Sequence, residues 1–163
     1  MQNQKINKIK VTKNEGQFTN WTSLLTLIQT SFKDMETRID PPSSMHRLSE
    51  KSLREKANTE TLFYVMSHGE LVGCAFACIQ EQVLYVGKVS ILPDFQARGI
   101  GGLLMEACKN FAKQSAISEL EIQTRIELTE NHVFFGKLGF KQVGTTAHSG
   151  YDRPTSITMR CKV

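Results

Sequence analysis

No apolar run in this chain approaches the ~18–20 residues that span a bilayer. The opening residues, Met1-Gln2-Asn3-Gln4-Lys5, lead into alternating polar and apolar positions without the apolar core of a signal peptide. A membrane partner is therefore not expected, and a cytoplasmic setting is. Cysteine is scarce: Cys74, Cys78, Cys108 and Cys161 are the only four, and no Cys-x-x-Cys occurs. Cys74 and Cys78 share an apolar strand-like stretch, on one face but about 13 Å apart along an extended chain, too far for a disulfide. Reduced, structural cysteines are expected, with no metal site. None has a histidine nearby in sequence to activate it as a nucleophile. Positive charge is present but thin. The net charge is +4, and the only basic stretch, Lys5, Lys8, Lys10 and Lys13, reads as a solvated strand face or tail. Nucleic-acid binding requires a denser patch and a recognition motif, and neither is present. A modest positive balance does suit a small polyanionic ligand.

At 163 residues the chain is long enough for one domain with a substantial core, expected to span residues 1–163. Lys5 to Thr12 alternates as a strand does. Trp21, Leu24, Leu25, Ile28 and Phe32 follow helical spacing. The Pro-rich segment from Ile39 to Ser44 ends that region, and Ser49 to Ala57 reads as a short capped helix. Thr61 to Ser67 and Glu70 to Ile79 read as a hairpin turning at His68-Gly69. Val83 to Leu92 extends the sheet. After the glycines, Leu104, Ala107, Cys108 and Phe111 mark a helix; Leu120 to Thr124 is a strand; Asn131 to Leu138 is a short helix stopped by Gly139. Phe140 to Val143 and Ser156 to Cys161 close the fold. The order predicts an α/β (α+β) protein with a mixed sheet and helices on both faces.

The most informative run is Gln96-Ala97-Arg98-Gly99-Ile100-Gly101-Gly102, between the apolar stretch Val83 to Leu92, with its Pro93-Asp94 turn, and the amphipathic stretch Leu103 to Lys113. A strand, a glycine-rich turn and a helix start build an anion site. Glycine takes φ values that other residues avoid, and the helix aims its unpaired N–H groups and positive dipole end at one point. Arg98 adds a charge-assisted contact. No Lys-Ser or Lys-Thr follows, which excludes the P-loop. Leu104 sits where the third glycine of a dinucleotide fingerprint belongs, which excludes that motif.

The remaining pattern, Q-x-x-G-x-G, resembles the acetyl-CoA loop of the GNAT N-acetyltransferase superfamily. The resemblance extends to Val89-Ser90-Ile91-Leu92-Pro93 before the loop. It includes the strand Leu120 to Thr124, and Asn131 through Lys137-Leu138-Gly139-Phe140 with Val143-Gly144 after it. It covers about Leu62 to Gly144. Two motifs in order, on the expected elements, make it specific. The resemblance implies a sheet that splays between the strand ending near Leu92 and the strand ending near Thr124, with the acyl-pantetheine in the gap. It implies an enzyme that moves acetyl from acetyl-CoA to a primary amine within a ternary complex, without a metal. Homodimers are common among relatives.

By resemblance, backbone groups of Val89 and Ile91 pair with the pantetheine, and Gln96, Ala97, Arg98, Gly99, Ile100, Gly101 and Gly102 take the pyrophosphate. Asn131 reads either as a contact to the pantetheine arm or as a helix N-cap. Phe134 and Phe135 are expected on the cofactor-facing side of the last helix. Two departures stand out. Relatives often carry tyrosine at the position of Phe135 as the acid for the thiolate, and phenylalanine has no proton to give. Relatives often place a carboxylate where this chain has Gly87-Lys88. Lys88 serves as a base only if burial lowers its pKa; otherwise it is solvated or ion-paired. Replacement candidates are Glu127, Glu130, His132, His148 and Tyr151. The last two lie in Ala147-His148-Ser149-Gly150-Tyr151-Asp152-Arg153-Pro154, a loop unusually rich in functional groups. Tyr151 is assigned as acid and His148 as base. Arg38 and Arg125 are candidates to hold a carboxylate on the acceptor. Transfer of a longer acyl group is an alternative, as is a non-catalytic CoA-binding module.

Overall fold

The structure, a computed structural model, describes residues 9–163. Lys5 and Lys8 of the basic stretch lie outside them, as does the start of the first expected strand. The elements run β1 (Val11–Lys13), α1 (Trp21–Lys33), a 3-10 turn (Ser44–Arg47), α2 (Glu50–Thr59), β2 (Thr61–Ser67), β3 (Glu70–Gln80) and β4 (Val83–Ile91). After the glycine turn come α3 (Ile100–Gln114), β5 (Glu119–Arg125), α4 (Thr129–Lys137), β6 (Lys141–Thr146) and β7 (Ser156–Lys162). The described strands form one seven-stranded sheet in the order β1-β2-β3-β4-β5-β7-β6. Its pairs are antiparallel except β4 with β5, so the sheet is mixed, as the sequence predicts.

Helices cover both faces because β3 is apolar on both. Val72, Ala75 and Ala77 pack into one cluster with Ile100, Leu104, Met105 and Cys108 of α3 and Phe135 of α4. Leu71, Cys74 and Phe76 pack into another with Leu24, Leu27 and Ile28 of α1 and Leu53 of α2. A strand buried on both sides reads as a continuous apolar run, and Leu71 to Ala77 is one. Ser49 closes the start of α2 in a capping box with Ser52.

A bulge in β4 positions the site. Gly87 faces Phe76 and Ser90 faces Cys74, so Lys88 and Val89 together oppose the single residue Ala75. Lys88 takes up the extra residue in the left-handed region, at φ +54°. A bulge bends its strand and increases the local twist. Beside it, the parallel ladder between β4 and β5 stops: Val83, Leu84 and Tyr85 pair with Glu119, Leu120 and Glu121, and nothing beyond them pairs. β4 runs on to Ile91 and β5 to Arg125 with no pairing between them. The expected splay is therefore present.

The bulge also diverts the Lys88 carbonyl, which is taken up locally. Ser90 Oγ donates to it at 3.0 Å and Cys74 Sγ lies 3.5 Å away. Ser90 and Cys74 are both buried, and burial pushes the Cys74 thiol up to about 12, which removes it from nucleophilic chemistry. Ser90→Ala removes the principal donor to an enclosed carbonyl. It is expected to cost about 1–3 kcal/mol, measured as a lower urea midpoint at unchanged m-value, whereas an unchanged midpoint contradicts a role for Ser90 in holding the bulge.

Candidate active site

The glycine turn lies at the open end of β4. Ala97 (φ +59°) and Gly99 (φ +82°) both sit in the left-handed region, and Gly99 is the residue from which α3 begins. The helix has no side-chain cap at this end and no acidic residue in its first turn, so no carboxylate competes for its leading N–H groups. Gln96 Nε2 donates to Ile91 O at 3.3 Å and ties the turn to the strand end. The exposed Arg98 guanidinium stacks over Phe95, 4.9 Å from the ring centroid.

Helix α4 closes on this point from the side. A Cβ added to Gly101 would lie 2.6 Å from Phe134 Cζ and 3.4 Å from Ile91 Cδ1. The close approach that Gly101 permits is thus that of the Phe134 ring, which brings α4, α3 and β4 together. Gly102 is different, since a Cβ there meets nothing nearer than Leu138 Cδ2 at 3.9 Å. Phe135 departs from expectation: it turns inward, 8% exposed, against Phe134 and Phe140 at ring separations of 5.1 and 5.5 Å. Only Phe134 of the pair keeps an open face. Asn131 is not the N-cap, because α4 starts from Leu128. Its amide donates to the buried Thr124 Oγ1 at 3.4 Å, holding the first turn of α4 on the end of β5.

Polar groups gather at the end of β5. His132 Nε2 lies 3.0 Å from Arg125 O. Arg38 and Glu130 form a bidentate ion pair in solvent, with Arg38 Nη2 at 2.8 Å from Glu130 Oε2. The hydrogen bond from Arg38 holds the Glu130 carboxyl down at about 2, a poor base. Arg38 is thereby engaged within the protein, whereas Arg125 is only partly so: Nη2 reaches Pro42 O at 3.4 Å, and Nη1 is enclosed without a partner. Glu127 Oε2 is enclosed without a partner as well. Beside them, Ile126 N donates to Thr155 O at 3.0 Å. The Thr155 hydroxyl receives His148 N at 2.9 Å and also contacts His148 Nδ1. Burial, reinforced by the Arg125 charge, pushes the His148 ring below its usual 6.5. Tyr151 donates to Asp40 Oδ1 at 2.7 Å, and Arg153 reaches Asp40 Oδ2 at 2.9 Å. That hydrogen bond raises the Tyr151 phenol above 10.0 and makes it a weaker acid.

The loop after α1 and the β6–β7 loop are thus pinned to one another across the end of the sheet. Nothing in the sequence marks Asp40 as the pin, since its partners lie 111 and 113 residues away. Lys88 is only partly solvated. It is half-buried and in no ion pair among the described residues, and burial followed by the Lys56 charge lowers its pKa. A separate hollow of about 390 Å³ lies by Phe18, Trp21 and Arg54, with no residue of β4, β5 or the glycine turn in its lining. No helix among the described residues is long and apolar enough to cross a membrane.

The sequence model of the acetyltransferase (GNAT) family matches residues 21–140. An uncharacterised N-acetyltransferase of Chlorobaculum tepidum is 28% identical over 83 residues, half of each chain, so this chain aligns with only half the length of that relative. In fold it is similar to the PaiA N-acetyltransferase of Thermoplasma acidophilum in complex with coenzyme A, with a TM-score of 0.79 at 15% identity over 94% of this chain and 99% of the other. It is also similar to an Elizabethkingia anophelis GNAT acetyltransferase with acetyl-CoA bound, with a TM-score of 0.66 at 17% identity over 96% and 99%.

Asp40 is the one carboxylate joining the two loops, so Asp40→Asn is expected to weaken the contact to Arg153 without unfolding the sheet. Hydrogen exchange should speed up in residues 147–155 while the melting temperature stays nearly unchanged. Equal exchange in both proteins would show that the loops hold their places without Asp40.

Proposed function

The chain belongs to the acetyltransferase (GNAT) family of acyltransferase enzymes, and from that premise we propose that it moves an acetyl group from acetyl-CoA to a primary amine by direct attack in a ternary complex. One observation carries the reading: the half of β4 left open on its β5 side ends at an uncapped helix start, at the mouth of the only parallel seam in the described sheet. Acetyl-CoA brings a peptide-like arm and a pyrophosphate, which suit an open strand edge and a cluster of N–H groups. The thioester is its contribution to the chemistry.

The chain's own residues supply the rest. Backbone groups of Val89 and Ile91 bind the arm along β4, and an N–H there polarises the thioester carbonyl. Gln96 to Gly102 receive the pyrophosphate, helped by Arg98. Phe134 presents its open face to the arm, and Asn131 borders it from Thr124. Phe135 packs behind and transfers no proton. At the other end Arg125 holds a carboxylate of the acceptor. His148 takes the amine proton. With the Thr155 hydroxyl directed to Thr146 O, Nδ1 carries the ring proton and Nε2 keeps the lone pair. Tyr151 protonates the leaving thiolate once its bond to Asp40 opens. Proximity in the ternary complex contributes much of the rate.

Thiol release from acetyl-CoA across a panel of amines tests the reading. Saturable turnover supports it. Acetyl-CoA binding without turnover on any amine overturns it in favour of a CoA-binding module, and preference for longer acyl-CoA revises the donor. Gly102→Glu places a carboxylate in the first turn of α3 without a packing clash. By calorimetry it is expected to weaken acetyl-CoA binding roughly a hundredfold with the circular dichroism intact. Because burial lowers the His148 pKa, the working neutral ring is lost as pH falls through a value below 6.5. The acidic limb of kcat/KM should lie there and vanish in His148→Ala. An unchanged limb in that variant removes His148 from proton transfer.

A further inference from the structure

Among the described residues, only two enclosed side-chain atoms lack a hydrogen-bond partner, Arg125 Nη1 and Glu127 Oε2. They carry opposite charges, lie two positions apart in the chain, and stand where β5 leaves the gap. Native proteins rarely leave such atoms unmade, and two at one place indicate a missing third party. They do not satisfy each other, since no ion pair joins Arg125 to Glu127. The Ile126 N–H bond to Thr155 O and the His132 contact to Arg125 O fix the backbone between them, and Pro42 O holds the other Arg125 nitrogen. Thr155, which accepts the Ile126 N–H, also anchors His148, whose ring feels both the Arg125 and the Glu127 charge.

We propose that Arg125 and Glu127 form a two-pole recognition site for a zwitterionic acceptor, a free amino acid, with its carboxylate on the Arg125 guanidinium and its ammonium on the Glu127 carboxylate. This deepens the reading above and rests on it. The chemistry balances. The ammonium gives one proton to His148 Nε2. The freed lone pair forms the N–C bond to the acetyl carbon, the C–S bond pair leaves with CoA, the sulfur takes the Tyr151 phenol proton, and the second amine proton restores that phenol. The products are the N-acetyl amino acid and CoA thiol, with His148 protonated until solvent relieves it. A lysine side chain within a protein, or an amine without a carboxylate, leaves Arg125 Nη1 unpartnered and is selected against.

The test compares the common free L-amino acids with their α-amides and with the matching decarboxylated amines. The readouts are calorimetry on CoA-saturated protein and thiol release with acetyl-CoA. At least one free amino acid should bind and turn over with kcat/KM roughly a hundredfold above its amide, the size of one charge-assisted contact. Arg125→Gln should erase that difference. Glu127→Gln should raise KM for the amino acid with acetyl-CoA affinity unchanged. The wild-type comparison needs no variant to fold, and Glu127→Asp provides a second one that keeps the charge. Amides or plain amines used as well as the acids would overturn the proposal and leave the acetyltransferase reading standing. Binding of no amino acid to the CoA-saturated protein would overturn it too. Failure to bind acetyl-CoA would instead bring down the reading on which it rests.

Discussion

One extra residue in β4 governs the geometry of the whole site. Placing Lys88 and Val89 opposite Ala75 commits Lys88 to a left-handed conformation that a side chain adopts only at some cost. The surrounding sheet offsets that cost. β3 pairs with β4 on both sides of the bulge, and the diverted carbonyl is bonded by Ser90. The return is a strand whose far half is no longer bonded to β5. A parallel ladder left open inside a sheet is unusual, because its N–H and C=O groups must find partners elsewhere. A ligand arm with amides of its own meets that need, so the structural irregularity and the proposed binding mode share one cause.

The second constraint is electrostatic, and exposure decides which charges matter. Arg38 with Glu130, and Asp40 with Tyr151 and Arg153, stand in solvent, where ion pairs add little to stability. Their effect is on position, since they link the loop after α1 to α4 and to the β6–β7 loop. Arg125 and Glu127 present the reverse case. An enclosed polar atom without a partner costs about 1–3 kcal/mol, and here there are two within three residues. A fold that keeps such atoms gives up stability at that point, which is the usual relation between a binding site and the scaffold around it. In the proposed complex the acceptor supplies the partners that these two atoms lack.

Local signals carried much of this architecture into the sequence. The glycine turn, the helix after it and the hairpin at His68-Gly69 were legible because periodicity and turn residues agree there. The strand from Val83 was legible in extent but not in shape. The bulge falls on Lys88, a residue with no preference for the left-handed region, and only the register with β3 exposes it. Asn131 looked like a helix start because asparagine favours that position, yet the chain turns helical from Thr129 with an uncapped Leu128 before it. Asp40 sat in a Pro-rich turn and read as turn chemistry alone. Its partners are too distant in sequence for any local pattern to register. Arg125 and Glu127 were both visible as candidates, but their lack of partners is a property of the folded protein.

Phe135 shows how packing and chemistry divide the work. The ring is held edge-to-face between Phe134 and Phe140 and is almost fully enclosed. A phenol in such surroundings needs a partner for its hydroxyl, and the neighbouring rings offer none. Helix α4 is thereby a packing element that sets Phe134 against Gly101 and anchors Asn131 to Thr124. We propose that proton handling comes instead from a second group of residues. These lie on the β6–β7 loop and at the end of β5, where His148, Tyr151, Arg125 and Glu127 collect. The departure at Phe135 and the unusual polarity of the loop fit one arrangement, in which the proposed acid–base groups lie on the loop rather than on the helix.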